Sequence, residues 1–188
     1  GINPSAAITA VKPSGTVSQL CDTSSGIHPR FSERYCRTIR QDKKDKLCQF
    51  LIDQGVPHED CVMKPDTTVV FSFPQKSPKG SICTAEVGPI EQLELAKTYN
   101  QHWSDHTVSL TCYYSEHNWY DTMAWVHKNF DYMIGVSFLP LDAGSYQQAP
   151  YSSLTAEEYN DLVKRSPKID WSKLEEFERE DSTTGSQE

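Results

Sequence analysis

Long hydrophobic runs are missing from this sequence of 188 residues. No stretch approaches the ~20 consecutive apolar residues that a membrane-spanning helix requires. The first residues also lack the charged segment followed by an apolar one that marks a secretory signal. We therefore predict a soluble, cytoplasmic protein without a membrane partner.

Positive charge is scarce as well. The 18 Lys and Arg residues are outnumbered by 26 Asp and Glu residues, which gives a formal net charge of -8. General binders of nucleic acid or anionic membranes need an excess of Lys and Arg, so neither kind of partner is predicted. An anionic ligand would have to be held by a local group of donors.

The sequence also lacks any Cys-x-x-Cys pair, so it predicts neither a zinc ribbon nor a redox-active cysteine pair. Six cysteines are scattered along the chain: Cys21, Cys36, Cys48, Cys61, Cys83 and Cys112. Cysteines spaced in this way are typical of buried free thiols. His102 and His106 stand four residues apart with Cys112 further on, but no fourth ligand follows, so we predict no metal site.

What the sequence does contain is an alternation of strand and helix patterns. Apolar and β-branched runs predict strands at residues 6–11, 34–40, 67–74, 107–114 and 134–140. Helical periodicity predicts helices at residues 14–20, 43–55, 89–103 and 117–130. Thr155 with Glu158, and Ser172 with Glu175, have the spacing of capping boxes and predict two further helices. This order favours an α/β architecture with parallel strands, in an open sheet or a closed barrel.

One short stretch has the composition of an anion-binding turn. The sequence "KPSGT" places Pro13 at the end of a strand and Ser14, Gly15 and Thr16 at the start of a helix. Unpaired backbone N–H groups at a helix start suit phosphate, and Gly15 lets a ligand approach the backbone. The hydroxyls of Ser14, Thr16 and Ser18 can add donors. No Gly-Lys-Ser/Thr follows, so this is not a Walker A loop, and Ser and Thr at a helix start are more often simple helix caps than phosphate ligands.

Other polar and aromatic residues allow two interpretations each. His28, in "SSGIHPR", can act as a base or a ligand, but its position favours a hydrogen-bond partner within a loop. The arginines Arg30, Arg37 and Arg40 can bind an anion or lie on a solvated face. A cluster of aromatic residues has helical spacing and favours core packing over a base-stacking surface: Trp119, Tyr120, Trp125 and Phe130.

Four blocks of the sequence, in order, carry a resemblance to a known family. They are "NPSAAITAVKPSGTVSQL", "SSGIHPRFSERYCRTIR", "TTVVFSFPQKSP" and "SFLPLDAGSYQQAPYSSLTAEEY". Together they resemble the carboxy-terminal part of the adenosylcobalamin-dependent (class II) ribonucleotide reductases, particularly the monomeric ribonucleoside-triphosphate reductase type. The resemblance implies the carboxy-terminal part of a ten-stranded α/β barrel at residues 1–150. Residues 151–188 would then form a helical carboxy-terminal extension and a polar tail.

The resemblance also assigns the turn. In the family, the segment that matches Pro13, Ser14, Gly15, Thr16, Val17 and Ser18 holds the phosphates of the substrate. It implies an oxidoreductase that binds ribonucleotides, with triphosphates as the expected substrates, and serves deoxyribonucleotide biosynthesis and DNA replication. Adenosylcobalamin would generate a thiyl radical on a cysteine, and thioredoxin or a similar reductant would restore a cysteine pair.

The chain departs from the family pattern at the reactive cysteines. Asn3 and Pro4 are followed by Ser5, so the Asn-Pro-Cys-Gly-Glu segment of the thiyl cysteine is absent, as is the carboxy-terminal cysteine pair. We therefore assign no catalytic residue here and expect a fragment of a longer chain that is inactive by itself. Two alternatives are a stand-alone phosphate- or nucleotide-binding module and an interaction protein that uses its aromatic cluster and acidic surface.

Overall fold

The computed structural model describes residues 1–133, 135–141 and 147–178. Its strands are β1 (Arg34–Asp42), β2 (His58–Asp60), β3 (Thr68–Lys76), β4 (Thr111–Tyr114), β5 (Ser137–Pro140) and β6 (Tyr151–Ser153). Its α-helices are α1 (Val17–Leu20), α2 (Lys46–Asp53), α3 (Pro89–His102), α4 (Trp119–Lys128), α5 (Ala156–Arg165) and α6 (Leu174–Glu178). Short 3₁₀ helices lie at Thr84–Glu86, Phe130–Tyr132 and Trp171–Lys173.

The chain forms two units, each assembled from two separate segments. Unit 1 comprises Gly1–Glu33 and Ser77–Gly144, and unit 2 comprises Arg34–Lys76 and Ser145–Glu188. Of the block "SFLPLDAGSYQQAPYSSLTAEEY", residues 142–146 lie outside the described part of the chain. The division into residues 1–150 and 151–188 stays a prediction.

Unit 1 has the parallel pairing that the sequence predicts. Strand β4 pairs with β5 in parallel, Thr111 opposite Ser137, and Val11 forms a parallel bridge with Val108. Helix α3 starts at Pro89 as predicted, since proline in the first turn needs no N–H donor. A buried core joins these elements: Val11, Leu93, Ala96, Val108, Leu110 and Cys112.

The predicted strand at residues 6–11 is reduced to the single bridge of Val11. The segment before it is held by one backbone hydrogen bond, from the N–H of His106 to the carbonyl of Thr9 at 2.9 Å, and by a side chain. The Asp105 carboxylate accepts hydrogen bonds from the N–H groups of Ile8 (3.1 Å) and Thr9 (3.4 Å). It also accepts one from the Thr9 hydroxyl (3.1 Å). The Asp105 carboxylate therefore adds to a short run of backbone pairing that is not long enough to form a strand.

Unit 2 contains a four-stranded sheet in the order β2-β3-β1-β6, and here the prediction of parallel pairing is wrong. Strand β3 is antiparallel to both β1 and β2, and β6 is antiparallel to β1. Strands β1 and β2 therefore point the same way, as a helical crossover through α2 requires. Because β3 is inserted between them, each adjacent pair becomes antiparallel. The strand predicted to end at Pro74 also continues to Lys76.

Helix α2 packs the apolar side chains of unit 2 into a second core. Its members are Cys48, Phe50, Leu51, Val56, Val69 and Phe71. The helix ends as predicted, since Gly55 follows it with φ of 77°. The capping box of Thr155 and Glu158 at α5 is confirmed. The one predicted for Ser172 is not, because Asp170 is the capping residue and accepts from the N–H of Ser172.

The α/β class is thus confirmed, while the four-stranded sheet is open. Among the described residues, no helix has the length and apolar character to cross a membrane.

Candidate phosphate-binding turn

The turn at residues 13–18 presents several backbone donors together. Gly15 has φ of 55°, a left-handed conformation that glycine adopts without strain. The N–H of Val17 donates to the carbonyl of Ser14 at 3.3 Å. Within the described chain, no acceptor pairs with the N–H groups of Gly15, Thr16 and Ser18. Neighbouring N–H groups in a turn of this kind form a concave anion-binding surface.

The side chains of the turn contribute unequally. Ser14 and Thr16 are exposed, whereas Ser18 is buried and its hydroxyl donates to the carbonyl of Gly15 at 3.2 Å. Ser18 therefore does not present the free hydroxyl that we expected, and its burial also keeps its N–H from a ligand. Within the described residues, the side chain of Thr16 makes no capping hydrogen bond at α1. The interpretation of these residues as ordinary helix caps is thus not realised.

A neighbouring loop, residues 23–28, holds the 13–18 turn in place. The N–H of Ser14 donates to the Ser25 hydroxyl at 2.8 Å. Gly26 has φ of 58°, and a Cβ added there would lie 2.9 Å from the carbonyl oxygen of Lys12. Sequence reasoning missed both Ser25 and Gly26. The only signal for them is the Ser-Ser-Gly sequence of a tight loop.

His28 is a hydrogen-bond partner within the loop, as predicted. Its Nε2 accepts the N–H of Thr111 at 2.9 Å, and its Nδ1 lies 2.8 Å from the carbonyl oxygen of Ser25. Because Nε2 accepts, Nδ1 carries the proton and donates it to Ser25. Both ring nitrogens of His28 therefore form hydrogen bonds with backbone groups.

Arg30 is a buried structural residue, with a side chain 5% exposed. It donates to the carbonyl of Thr23 at 2.8 Å and to the Asp22 carboxylate at 3.0 Å. Both Asp22 and Thr23 lie just beyond α1. The interpretation as a solvated arginine is wrong, because the guanidinium fixes the chain where it leaves that helix.

The other two candidate arginines lie on β1. Arg37 stacks its guanidinium 5.9 Å from the ring centroid of Tyr151, and Arg40 donates to the carbonyl of Gln148 at 2.9 Å. These contacts occur within unit 2. Both arginines thus have structural partners.

The cysteines are all free thiols, as predicted. Cys36, Cys48, Cys61 and Cys112 are buried, whereas Cys83 is half-buried and Cys21 is exposed. Burial raises the pKa of Cys112 to about 11. Burial acts in the same direction at Cys61, but hydrogen bonds from backbone N–H groups and the Arg40 guanidinium outweigh it and lower the pKa. Among residues with described positions, no three His, Cys, Asp or Glu side chains come together as a metal site.

The aromatic cluster divides into packed and exposed members. Trp119 lies 4.3 Å from the ring of Tyr114, and the indole N–H of Trp125 donates to Glu94 at 2.7 Å. Core packing is confirmed for these two tryptophans. It is wrong for Tyr120 and Phe130, which are 83% and 69% exposed.

The chain is thus an α/β structure with an open turn at Gly15 ahead of a short helix. The family model described as "Ribonucleotide reductase, barrel domain" matches residues 4–132, which is more than half of the chain. The chain therefore belongs to the ribonucleotide reductase family, and the resemblance seen in the sequence is confirmed.

Individual relatives carry more specific names. The chain is 31% identical over 166 residues to an adenosylcobalamin-dependent ribonucleoside-triphosphate reductase of Euglena gracilis, covering 87% of this chain and 23% of that protein. It is 33% identical over 170 residues to a probable enzyme of the same name from Dictyostelium discoideum, covering 88% and 22%.

A solved structure agrees with these relatives. The crystal structure of a B12-dependent (class II) ribonucleotide reductase superposes with a TM-score of 0.73 at 26% identity, covering 93% of this chain and 24% of that one. The chain thus spans about a quarter of the length of the proteins that it matches.

Proposed function

We propose that this chain is a segment of an adenosylcobalamin-dependent ribonucleotide reductase that converts ribonucleoside triphosphates to 2'-deoxyribonucleotides. The names of its relatives support this activity, and their greater length supports a role within a longer polypeptide. The proposed enzyme is cytoplasmic, supplies deoxyribonucleotides for DNA replication, and takes electrons from thioredoxin or a similar reductant.

Within that enzyme, the proposed role of residues 13–18 is to bind the phosphates of the substrate. The observation that carries this assignment is the pair of N–H donors on the exposed residues Gly15 and Thr16, for which the described chain supplies no acceptor. The space beside Gly15 is open, since a Cβ added there would meet no atom within 4 Å. A phosphate oxygen can therefore reach the backbone. Fixing the phosphates would place the ribose in one position, which lowers the entropic cost of the reaction.

Nothing among the described residues points to a site for the cobalamin. The imidazole of His28 is held by two backbone groups. A cavity of about 640 Å³ in unit 1 lies between the 23–28 loop and α3. Its volume suits drug-sized ligands, which are smaller than a corrinoid. The role that we propose for this chain is therefore limited to binding the substrate.

The test uses the full-length reductase that carries this segment, assayed with adenosylcobalamin and a dithiol reductant. We expect reduction of ribonucleoside triphosphates in preference to diphosphates. The Gly15→Ala variant should raise the KM for the nucleotide about tenfold, because a methyl group obstructs hydrogen bonds to a charged ligand. The matched control is Gly55→Ala, since Gly55 has φ of 77° and open space around it but lies after α2.

The two parts of the proposal fail separately. Absence of ribonucleotide reduction by the wild-type enzyme would contradict the activity. Normal reduction with an unchanged KM in Gly15→Ala, or an equal rise in Gly55→Ala, would contradict the phosphate-binding role of the turn.

A further inference from the structure

We propose that Ser25 and His28 are positioning residues for the phosphate-binding turn, joined in a hydrogen-bonded chain that runs from β4 to Ser14. This inference rests on the proposed function of residues 13–18 and names side chains that set their geometry. Neither residue is proposed to contact the substrate.

Ser25 stands in the middle of the chain and uses both its hydroxyl and its carbonyl. The hydroxyl oxygen accepts the N–H of Ser14 at 2.8 Å. The carbonyl oxygen accepts the Nδ1 proton of His28 at 2.8 Å. The bond to His28 is partly buried, so water competes less for it than it would at a fully exposed loop. The orientation of the Ser25 backbone and the orientation of the Ser14 amide are therefore linked.

His28 connects this pair to the frame of unit 1. Its Nε2 accepts the N–H of Thr111, the first residue of β4, at 2.9 Å. The next residue, Cys112, is fully buried in the core. A site is held most accurately when its supporting hydrogen bonds lead back to a strand or helix. The neutral imidazole with its proton on Nδ1 is the form that can make both bonds at once.

The consequence for the 13–18 turn is a separation of its donors into two sets. The N–H of Ser14 donates to the Ser25 hydroxyl, whereas the N–H groups of the exposed residues Gly15 and Thr16 remain for a ligand. Without the Ser25 hydroxyl, the Ser14 amide would be free to turn, and the donors would have to be ordered when phosphate binds. That ordering is an entropic cost which a preformed turn avoids.

Two further contacts tie the same loop to the turn. The N–H of Thr23 donates to the carbonyl of Ser18 at 2.9 Å, and Arg30 holds the Thr23 carbonyl at 2.8 Å. The close approach of Gly26 to the Lys12 carbonyl adds a contact at the other end of the turn. The 23–28 loop thus bounds the turn at both ends, with Ser25 between them.

The experiment uses the full-length reductase and two readouts, the KM for a ribonucleoside triphosphate and the Ki of inorganic tripolyphosphate as a competitive inhibitor. Tripolyphosphate reports the phosphate contacts without those of base and ribose. In Ser25→Ala we expect both constants to rise about three- to tenfold, the effect of one hydrogen bond, with kcat changed less than about twofold. KM and Ki do not depend on the fraction of folded enzyme, so partial misfolding cannot imitate this result.

Two matched variants serve as controls for Ser25→Ala. Ser25→Thr keeps a hydroxyl and should restore both constants to near the wild-type values. Ser24→Ala removes the neighbouring hydroxyl, which makes no hydrogen bond with any residue of the described chain, and should change neither constant. His28→Ala should raise KM and Ki at least as much as Ser25→Ala, because it releases the Ser25 carbonyl.

The possible failures are distinguishable. A wild-type enzyme that tripolyphosphate does not inhibit would overturn the phosphate-binding role of the turn itself. Inhibition of the wild type with unchanged constants in Ser25→Ala, an equal rise in Ser24→Ala, or no restoration by Ser25→Thr would overturn the positioning role alone.

Discussion

Gly15 and Gly26 share a backbone conformation but differ in their surroundings. Their φ values are 55° and 58°, so any L-amino acid is strained at either position. An added Cβ finds open space at Gly15, whereas at Gly26 it lies 2.9 Å from a backbone oxygen of Lys12. For folding, the first glycine is required for its conformation alone, whereas the second is required for its conformation and for its close approach to Lys12.

We therefore expect unequal effects of the same substitution. Gly15→Ala should lower the free energy of unfolding by about 1 kcal/mol, the cost of a left-handed alanine. Gly26→Ala should lower it by about 2–3 kcal/mol, because backbone atoms must also move apart. Urea denaturation of the purified variants measures both. Gly135→Ala is the control, since Gly135 lacks a positive φ and its added Cβ would meet Thr107 at an ordinary 3.7 Å.

Equal losses in the two variants would contradict the steric role of Gly26. A loss in Gly135→Ala as large as that in Gly15→Ala would contradict the strain argument as well.

At the scale of single residues, the sequence indicates features that depend on residue type. It does not indicate contacts between residues that are distant in sequence and meet only in the fold. The turn at Gly15 is predictable because proline, serine and glycine have local backbone preferences. The contact between Ser14 and Ser25 spans eleven positions and forms only after the loop folds back. Arg30 illustrates the same limit, since its burial follows from the fold and not from its neighbours in sequence.

At the scale of elements, Asp105 attaches the amino-terminal segment to the loop after α3. Hydrogen bonds from the N–H groups of Ile8 and Thr9 lower the pKa of Asp105 below its ordinary value of 3.8. The unfolded chain therefore binds the proton more readily than the folded one. The contribution of the ionised carboxylate to stability is complete above the unfolded pKa and is lost as pH falls through the folded pKa.

The expected result is a pH-dependent difference between wild type and Asp105→Asn. At neutral pH the variant should unfold at a lower urea concentration, and this difference should narrow as the pH falls below the ordinary pKa of 3.8 and through the lower pKa of the folded state. Asp66→Asn is the control, because Asp66 is exposed and makes no hydrogen bond within the described chain. A gap that stays constant with pH, or one equally large for Asp66→Asn, would contradict the proposed attachment.

Element type was more predictable than element pairing. The start of α3 at Pro89 and the capping box of α5 follow from local chemistry that the sequence displays directly. The antiparallel pairing in unit 2 does not follow from local chemistry, because local patterns do not indicate which strand will lie between β1 and β2. The family was recognisable only because several long blocks agree in order.

At the scale of the whole molecule, each unit has a core drawn from segments that are distant in sequence. Val11 and Leu93 lie in the core of unit 1, although β1 of unit 2 comes between them along the chain. Phe71 belongs to the core of unit 2. Resistance to local unfolding should therefore follow the units and not the order of residues.

Hydrogen exchange in two core variants tests this expectation. Leu93→Ala removes a fully buried side chain at a cost of about 2–5 kcal/mol. It should accelerate exchange around Val11 and in α3 while leaving β1 protected. Phe71→Ala should do the reverse, accelerating exchange in β1 and β3. Leu95→Ala is the control, because Leu95 lies on α3 but is 42% exposed. If Leu93→Ala accelerated hydrogen exchange in β1 as much as around Val11, the expectation of separate cores would be contradicted. The effect of the substitution would then not be confined to one unit.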